Sequence, residues 1–279
     1  MTIKTLHVCL TTRDDTPALL RAAVPLARQH GAHLVGVHVL DPLDIYPGAS
    51  VYITPEMMSA LQADRQKEAD AIKDLFNAAI ATEDFVSEFR MLTAGARATS
   101  THLVESARAA DLVLIAQGDR ASDRRDPRHA QSAVIRQSGR PVIVVPTGFD
   151  KDSIGSRILI GWSNTREAAR AAHDTLPLAR PGTEVTILRV KTRVSDEMED
   201  ADLLDLSAAL ARHGLRVDIR HTEIAGTGIA EALLKTAFEV GADLVATGAF
   251  GHSSAYDFVV GATTSALLNS ADVPVLFSK

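Results

Sequence analysis

Three glycines near the C-terminus form the pattern with the most chemical content. Gly248-Ala-Phe-Gly251 is followed after nine residues by Gly261-Ala262-Thr263-Thr264, a Gly-x2-Gly-x9-Gly spacing. The run before it, Asp243-Leu-Val-Ala-Thr247, reads as a strand, and Ser265-Ala-Leu-Leu-Asn-Ser270 after it suits a helix. Strand, glycine loop and helix start, in that order, suit an anion. Glycine lets backbone N–H groups approach phosphate oxygens, and the helix N-terminus adds partial positive charge. The hydroxyls of Thr263 and Thr264 would be further donors. The same glycines also fit an ordinary strand-to-helix turn, so the spacing alone leaves both readings open.

Other site chemistry is sparse. The sequence contains no Gly-x-Ser-x-Gly elbow, no His-Glu-x-x-His pair and no Gly-x4-Gly-Lys-Ser/Thr loop. Its 10 histidines show no ligand spacing. His33 and His38 alternate with apolar residues, and we expect surface or cap roles for them. His252 is the histidine nearest the presumed phosphates, and Asp257 is the only acid within the glycine loop. Trp162 ends a strand-like run and could stack on a base or simply pack. The single cysteine, Cys9, lies in Leu6-His-Val-Cys-Leu10, where a buried, inert thiol is expected. A formal net charge of −6 argues against a nucleic-acid-binding body. No apolar stretch reaches the roughly 18 residues that span a bilayer. A protein of the cytoplasm, bound to neither nucleic acid nor membrane, is expected.

These residues sit on two copies of one plan. Pro25-Leu-Ala-Arg28 recurs as Pro177-Leu-Ala-Arg180, Ala110-Asp-Leu-Val113 as Ala242-Asp-Leu-Val245, and Pro141-Val-Ile-Val-Val145 as Pro274-Val-Leu-Phe277. Matches in the same order through both halves mark an internal repeat. Within each half, apolar β-branched runs alternate with alanine-rich helical segments. That pattern predicts an α/β fold with two tandem, doubly wound, five-stranded parallel-sheet domains. We place them at residues 1–148 and 156–279, joined by the Pro- and Gly-punctuated stretch 146–155. Val39 to Asp111 spans 72 residues against 53 from Val190 to Asp243, so the first half carries 19 extra. These centre on residues 41–48 and a long following helix, Pro55–Ala81. Met57, Met58, Leu61, Ala69, Ile72, Leu75 and Phe76 make that helix an amphipathic cover for its sheet.

The tandem repeat, the alanine-rich Arg166-Glu-Ala-Ala-Arg-Ala-Ala172 helix and the glycine tail closing in Val273-Pro-Val-Leu-Phe277 together resemble the universal stress protein family. The resemblance covers the whole chain. It implies five parallel strands per domain, pairing of domains through the last strand, and in some members a bound adenine nucleotide. Carried onto this sequence, Gly248, Gly251, Gly261, Ala262 and Thr263 would cradle phosphates, and backbone at Val190 would contact the base. Ser163 stands where nucleotide-holding members often carry Asp, and Ala262 where Ser or Thr is usual. Aligned on Pro141 and Pro274, the first half sets Ile115, Gly118 and Arg128 against the three glycines, so its cradle is lost. Its Asp119–Arg128 segment carries four arginines among three acids, which suits a self-paired solvated loop.

The function expected is binding of ATP or a related adenine nucleotide, with Mg as a candidate companion, in the second half and in a sensing role. A ligand-free interaction protein of the same fold and a slow ATPase are the alternatives. The closing strands Val142–Val145 and Val275–Phe277 should pair, because an exposed apolar edge is a liability unless covered. The apolar insert Leu43–Ile53 suggests a homodimer or a fold-back over the first half's cleft.

Overall fold

The computed structural model describes residues 2–40, 54–95, 97–118, 127–191, 200–223, 228–250 and 261–279, with backbone alone at 127–129. The arginine-bearing stretch up to residue 126, the insert 43–53, Gly251, His252 and Asp257 lie outside these residues.

Strands and helices alternate throughout. The first half runs β1 (Thr5–Cys9), α1 (Thr16–His30), β2 (His33–Leu40), α2 (Pro55–Ile80), β3 (Ser87–Thr93), α3 (Thr99–Ala107), β4 (Leu112–Ala116), α4 (Pro127–Gln137) and β5 (Val142–Val145). The second runs β6 (Arg157–Trp162), α5 (Arg166–Asp174), β7 (Glu184–Lys191), α6 (Ala201–Arg212), β8 (Arg216–Glu223), α7 (Ile229–Val240), β9 (Leu244–Gly248), α8 (Ala262–Ser270) and β10 (Val275–Ser278).

All ten strands join one sheet, in the order β3-β2-β1-β4-β5-β10-β9-β6-β7-β8. Every neighbouring pair is parallel except β5 with β10, which meet antiparallel through Val142↔Phe277, Ile143↔Leu276 and Val144↔Val275. The two closing strands therefore cover each other's edges, as their apolar content requires. Alternate strand residues face opposite layers. Ile158, Ile160 and Ile187 belong to the apolar layer shared with α1, α2, α5 and α6, whereas Leu159, Leu188 and Val245 belong to the layer shared with α3, α4, α7 and α8. A sheet buried on both faces explains strands that are apolar without alternation.

The repeated Ala-Asp-Leu-Val motif has a structural task. The Asp111 carboxylate accepts the N–H groups of Lys4 and Thr5 at 2.7 and 3.0 Å. In the second half Asp243 accepts those of Gly155, Ser156 and Arg157, each at 3.0 Å. One carboxylate thus satisfies the amides that open the first strand of each repeat.

Strand registers correct the alignment of the halves. Val113 pairs with Val142, and Val245 with Val275, so Ala116 rather than Ile115 is the counterpart of Gly248. Gly118 then matches Phe250, not Gly251. The same bond recurs at this point, Gln117 N–H to Val145 O at 2.8 Å and Ala249 N–H to Ser278 O at 2.9 Å. The one-residue difference between the repeats falls after the strand, where pairing does not constrain it.

Two further expectations change. Helix α2 is only partly a cover: Ala69, Ile72 and Phe76 are buried, but Met57 is 52% and Leu61 44% exposed. Its 26 residues extend about 39 Å at 1.5 Å per residue, beyond the roughly 26 Å of the eight-residue β2 beneath it. His38 is buried rather than superficial, its Nδ1 2.7 Å from the Leu10 carbonyl, and so fastens β2 to the end of β1. Helix α5 stops at Asp174. There the Thr175 hydroxyl donates to Ala172 O at 2.7 Å, and Pro177 follows, disfavouring continuation.

Candidate functional site

In an open α/β sheet, ligands sit beyond the carboxyl ends of the strands where strand order reverses. In the second half that point is the β6–β9 junction, since β7 and β8 extend one way and β10 the other. Gly248 ends β9, and Ser163 follows β6. Val190 lies near the end of β7, one residue past the last β6–β7 pair, Trp162↔Arg189, so it pairs only with Thr222 of β8. Helix α8 leads back to the start of β10, which is parallel to β9, so its first turn sits at the same end of the sheet.

The two described glycines of the signature have different physical reasons. A Cβ on Gly248 would lie 2.6 Å from the Ala168 amide nitrogen and 2.7 Å from the Glu167 carbonyl carbon. Both are backbone atoms of α5's first turn, so Gly248 is required for α5 to approach β9 whether or not a ligand is present. Gly261 is the opposite case. Its φ of −56° and ψ of 137° suit any residue. Among the described residues, the nearest atom to a Cβ there would be Thr264 Oγ1 at 3.9 Å. Among the described residues, nothing demands glycine at 261 and none fills the space beside it.

Gly261 caps α8 without a side-chain hydrogen bond, so the cap residue itself leaves the first amides of that helix to other partners. Ala262 is exposed, Thr263 half-buried and Thr264 buried. Thr263 is therefore the hydroxyl of this turn with access to a ligand. At the neighbouring strand end, Ser163 is exposed, its Oγ 3.3 Å from Thr165 Oγ1. Thr165 in turn caps α5 by accepting the Ala168 N–H at 3.3 Å. Ser163 thus belongs to the entry of α5 as well as to the crevice.

Sequence reasoning missed two charged groups here. Glu167, in α5's first turn beside Gly248, is buried, and Arg166 Nε donates to it at 2.6 Å. Burial would raise its carboxyl, but the bonds from Arg166 and from its own amide, with the charges of Arg166 and Lys279, hold it below the usual carboxylate range. Arg189, next to Val190, is only 3% exposed. It bonds Asp202, which also accepts the Trp162 indole N–H at 2.8 Å, and it lies 3.5 Å from Asp200. His221 approaches Asp200 at 3.5 Å. Burial would raise the Asp202 carboxyl as well, but the bonds from Trp162 and Arg189 and the Arg189 charge hold it down. Trp162 is therefore pinned by its indole nitrogen rather than free to swing onto a base. The signal for Arg189 was a charge inside the apolar run Val185–Val190.

The first half is built differently at the equivalent place. Ala116 replaces Gly248, and the Gln131 side chain donates to Ala116 O and Gln117 O at 2.5 Å. Gln117 in turn donates to Ala271 O of the second half at 3.0 Å. Arg128 stands inside the first turn of α4, whereas Gly261 precedes α8. A cavity of about 540 Å³ lies on the seam between the halves, lined by Gly118, Pro146, Phe149, Lys151 and Asp272 among others. None of the residues proposed for phosphate or base lines it. Among the described residues no group of three His, Cys, Asp or Glu could hold a metal, and no helix is long and apolar enough to cross a membrane.

The universal stress protein family model matches residues 2–146 and again 156–279. Similar solved structures span nearly the whole chain. A universal stress protein from Archaeoglobus fulgidus DSM 4304 shares 14% identity, with a TM-score of 0.74 over 98% of this chain and 96% of its own. A putative universal stress protein from Pseudomonas aeruginosa UCBPP-PA14 shares 14% identity, with a TM-score of 0.62 over 99% and 93%. A functionally unknown protein from Pseudomonas aeruginosa PAO1 shares 13%, with a TM-score of 0.59 over 99% and 92%. At these identities the likeness is one of fold. No curated protein matches the sequence.

Proposed function

Because the chain belongs to the universal stress protein family, we propose that it binds an adenine nucleotide of the ATP class, one per chain, in its second half, and acts as a sensor rather than a catalyst. The observation that carries this reading is Gly261. It is a glycine that no described contact requires, with no described residue filling the space beside it, at a start of α8 that its cap residue does not bond by a side chain, and next to the reversal of strand order. Backbone amides there suit phosphate, Thr263 adds a hydroxyl, and the backbone of Val190 past the end of β6 suits a base. A Mg ion would be held through the phosphates. We further propose domains at 1–148 and 156–279, a homodimer, and a place in the cytoplasm.

Calorimetric titration with ATP tests the reading. The wild type should bind one equivalent, Gly261→Leu should abolish binding while staying folded, and an Arg128 substitution should leave affinity unchanged. Two equivalent sites, or undiminished affinity after Gly261→Leu, would refute it. A second reading, a ligand-free interaction protein, is favoured by Gly248, whose lack of a side chain is explained by packing against α5 alone. Mass spectrometry of molecules released on denaturation separates the two, since the ligand-free form releases no nucleotide.

A further inference from the structure

Phe250 is the one described non-glycine residue with positive φ, at 62°. A bulky residue holds that conformation only where its surroundings over-determine it. Its counterpart Gly118 has φ of 80°, so both repeats turn the chain the same way after the fourth strand. The first repeat does so with glycine, whereas the second places an aromatic ring there and tolerates the strain.

The surroundings that hold Phe250 come from both halves. Phe250 is 8% exposed, with the Arg136 guanidinium 4.8 Å from its ring centroid and the Lys279 ammonium 5.9 Å away. Arg136 lies in the last turn of α4, in the first repeat. Lys279 follows β10, where its carbonyl accepts from Arg170 of α5 at 2.8 Å. Adjacent Ala249 is fully buried, and its N–H is bonded to Ser278 O. The quadrupole of a buried ring attracts both cations.

From this we infer that Phe250 is a positioning residue: Arg136 of the first repeat grips it and so sets the backbone that leaves Gly248 for the ligand site of the second. The first repeat then regulates occupancy of its neighbour through one ring. The effect on binding rests on the nucleotide reading above, whereas the grip does not.

Hydrogen exchange of the amides of residues 248–250, measured beside ATP titration, tests both parts. Arg136→Gln should speed that exchange and weaken ATP binding by roughly two- to thirtyfold, the range of one lost cation–π contact, with little change in global unfolding. Arg136→Lys keeps the cation and should restore both. Phe250→Ala should loosen these amides at least about tenfold through loss of the ring and its contacts. Phe250→Gly relieves the backbone strain but should loosen them equally. Arg136→Gln leaving exchange and affinity within twofold of wild type would overturn the inference, as would wild-type behaviour of Phe250→Gly. If wild type binds no ATP yet Arg136→Gln still frees the amides, the grip stands and the nucleotide reading falls.

Discussion

Gly248→Ala and Gly261→Ala change the same atoms at two positions of one signature, yet should differ sharply in stability. At Gly248 the new methyl would stand 2.6 Å from the Ala168 nitrogen and 2.7 Å from the Glu167 carbonyl carbon. Heavy atoms in contact normally rest at about 3.5–4.0 Å, so α5 would have to retreat from β9. The obstacle is backbone, and no rotamer change can relieve it. Overpacking costs about 1–3 kcal/mol, and the upper end applies. At roughly 2–4 °C per kcal/mol for a chain of this size, Tm should fall by about 6–12 °C. At Gly261 two small terms oppose. Alanine is a poorer N-cap than glycine by about 0.5–1 kcal/mol, and removing glycine from the unfolded chain returns about 0.4–1 kcal/mol. The net should lie within about 0.5 kcal/mol, or about 2 °C in Tm. Thermal unfolding followed by circular dichroism, without added ligand, measures both. Equal Tm values for the two variants would refute the assignment of Gly248 to packing.

Two other outcomes follow from buried polar groups. His7 is 1% exposed, its Nε2 3.0 Å from Ser106 Oγ, and burial with the Arg90 charge pushes its pKa down to about 4. Between pH 6.5 and 4 the unfolded chain binds a proton that the folded chain refuses. Its contribution is therefore full above pH 6.5 and is lost as pH falls, by up to about 1.4 kcal/mol per unit. Urea midpoints across this range should drop less steeply in His7→Gln, and an unchanged slope would contradict the burial argument. Asp202→Ala leaves the 3%-exposed Arg189 with only the more distant Asp200, and should cost about 3 kcal/mol. The double change Arg189→Met with Asp202→Leu should cost less than Asp202→Ala alone, as read from denaturant unfolding.

The sequence by itself determined the repeat, the parallel sheets and the pairing of closing strands. Apolar β-branched runs, glycine-punctuated turns and a recurring Ala-Asp-Leu-Val are local signals, and burial of both sheet faces leaves few other arrangements. The buried, inert Cys9 was legible for the same reason: it is fully buried, and burial pushes its thiol up to about 12. The reason for each residue at the candidate site was not legible. Tertiary structure decided that Gly248 serves α5 while no described residue crowds Gly261, because that distinction depends on a helix 80 residues earlier in the chain. It set Ala116, not Ile115, against Gly248, since strand register is fixed by hydrogen bonds between segments and not by counting from a distant proline. It also turned Phe250, an unremarked residue between two glycines, into one of the contacts between repeats. A ring held by Arg136 and Lys279 joins groups more than a hundred residues apart in the chain, and only folding brings their charges and faces together.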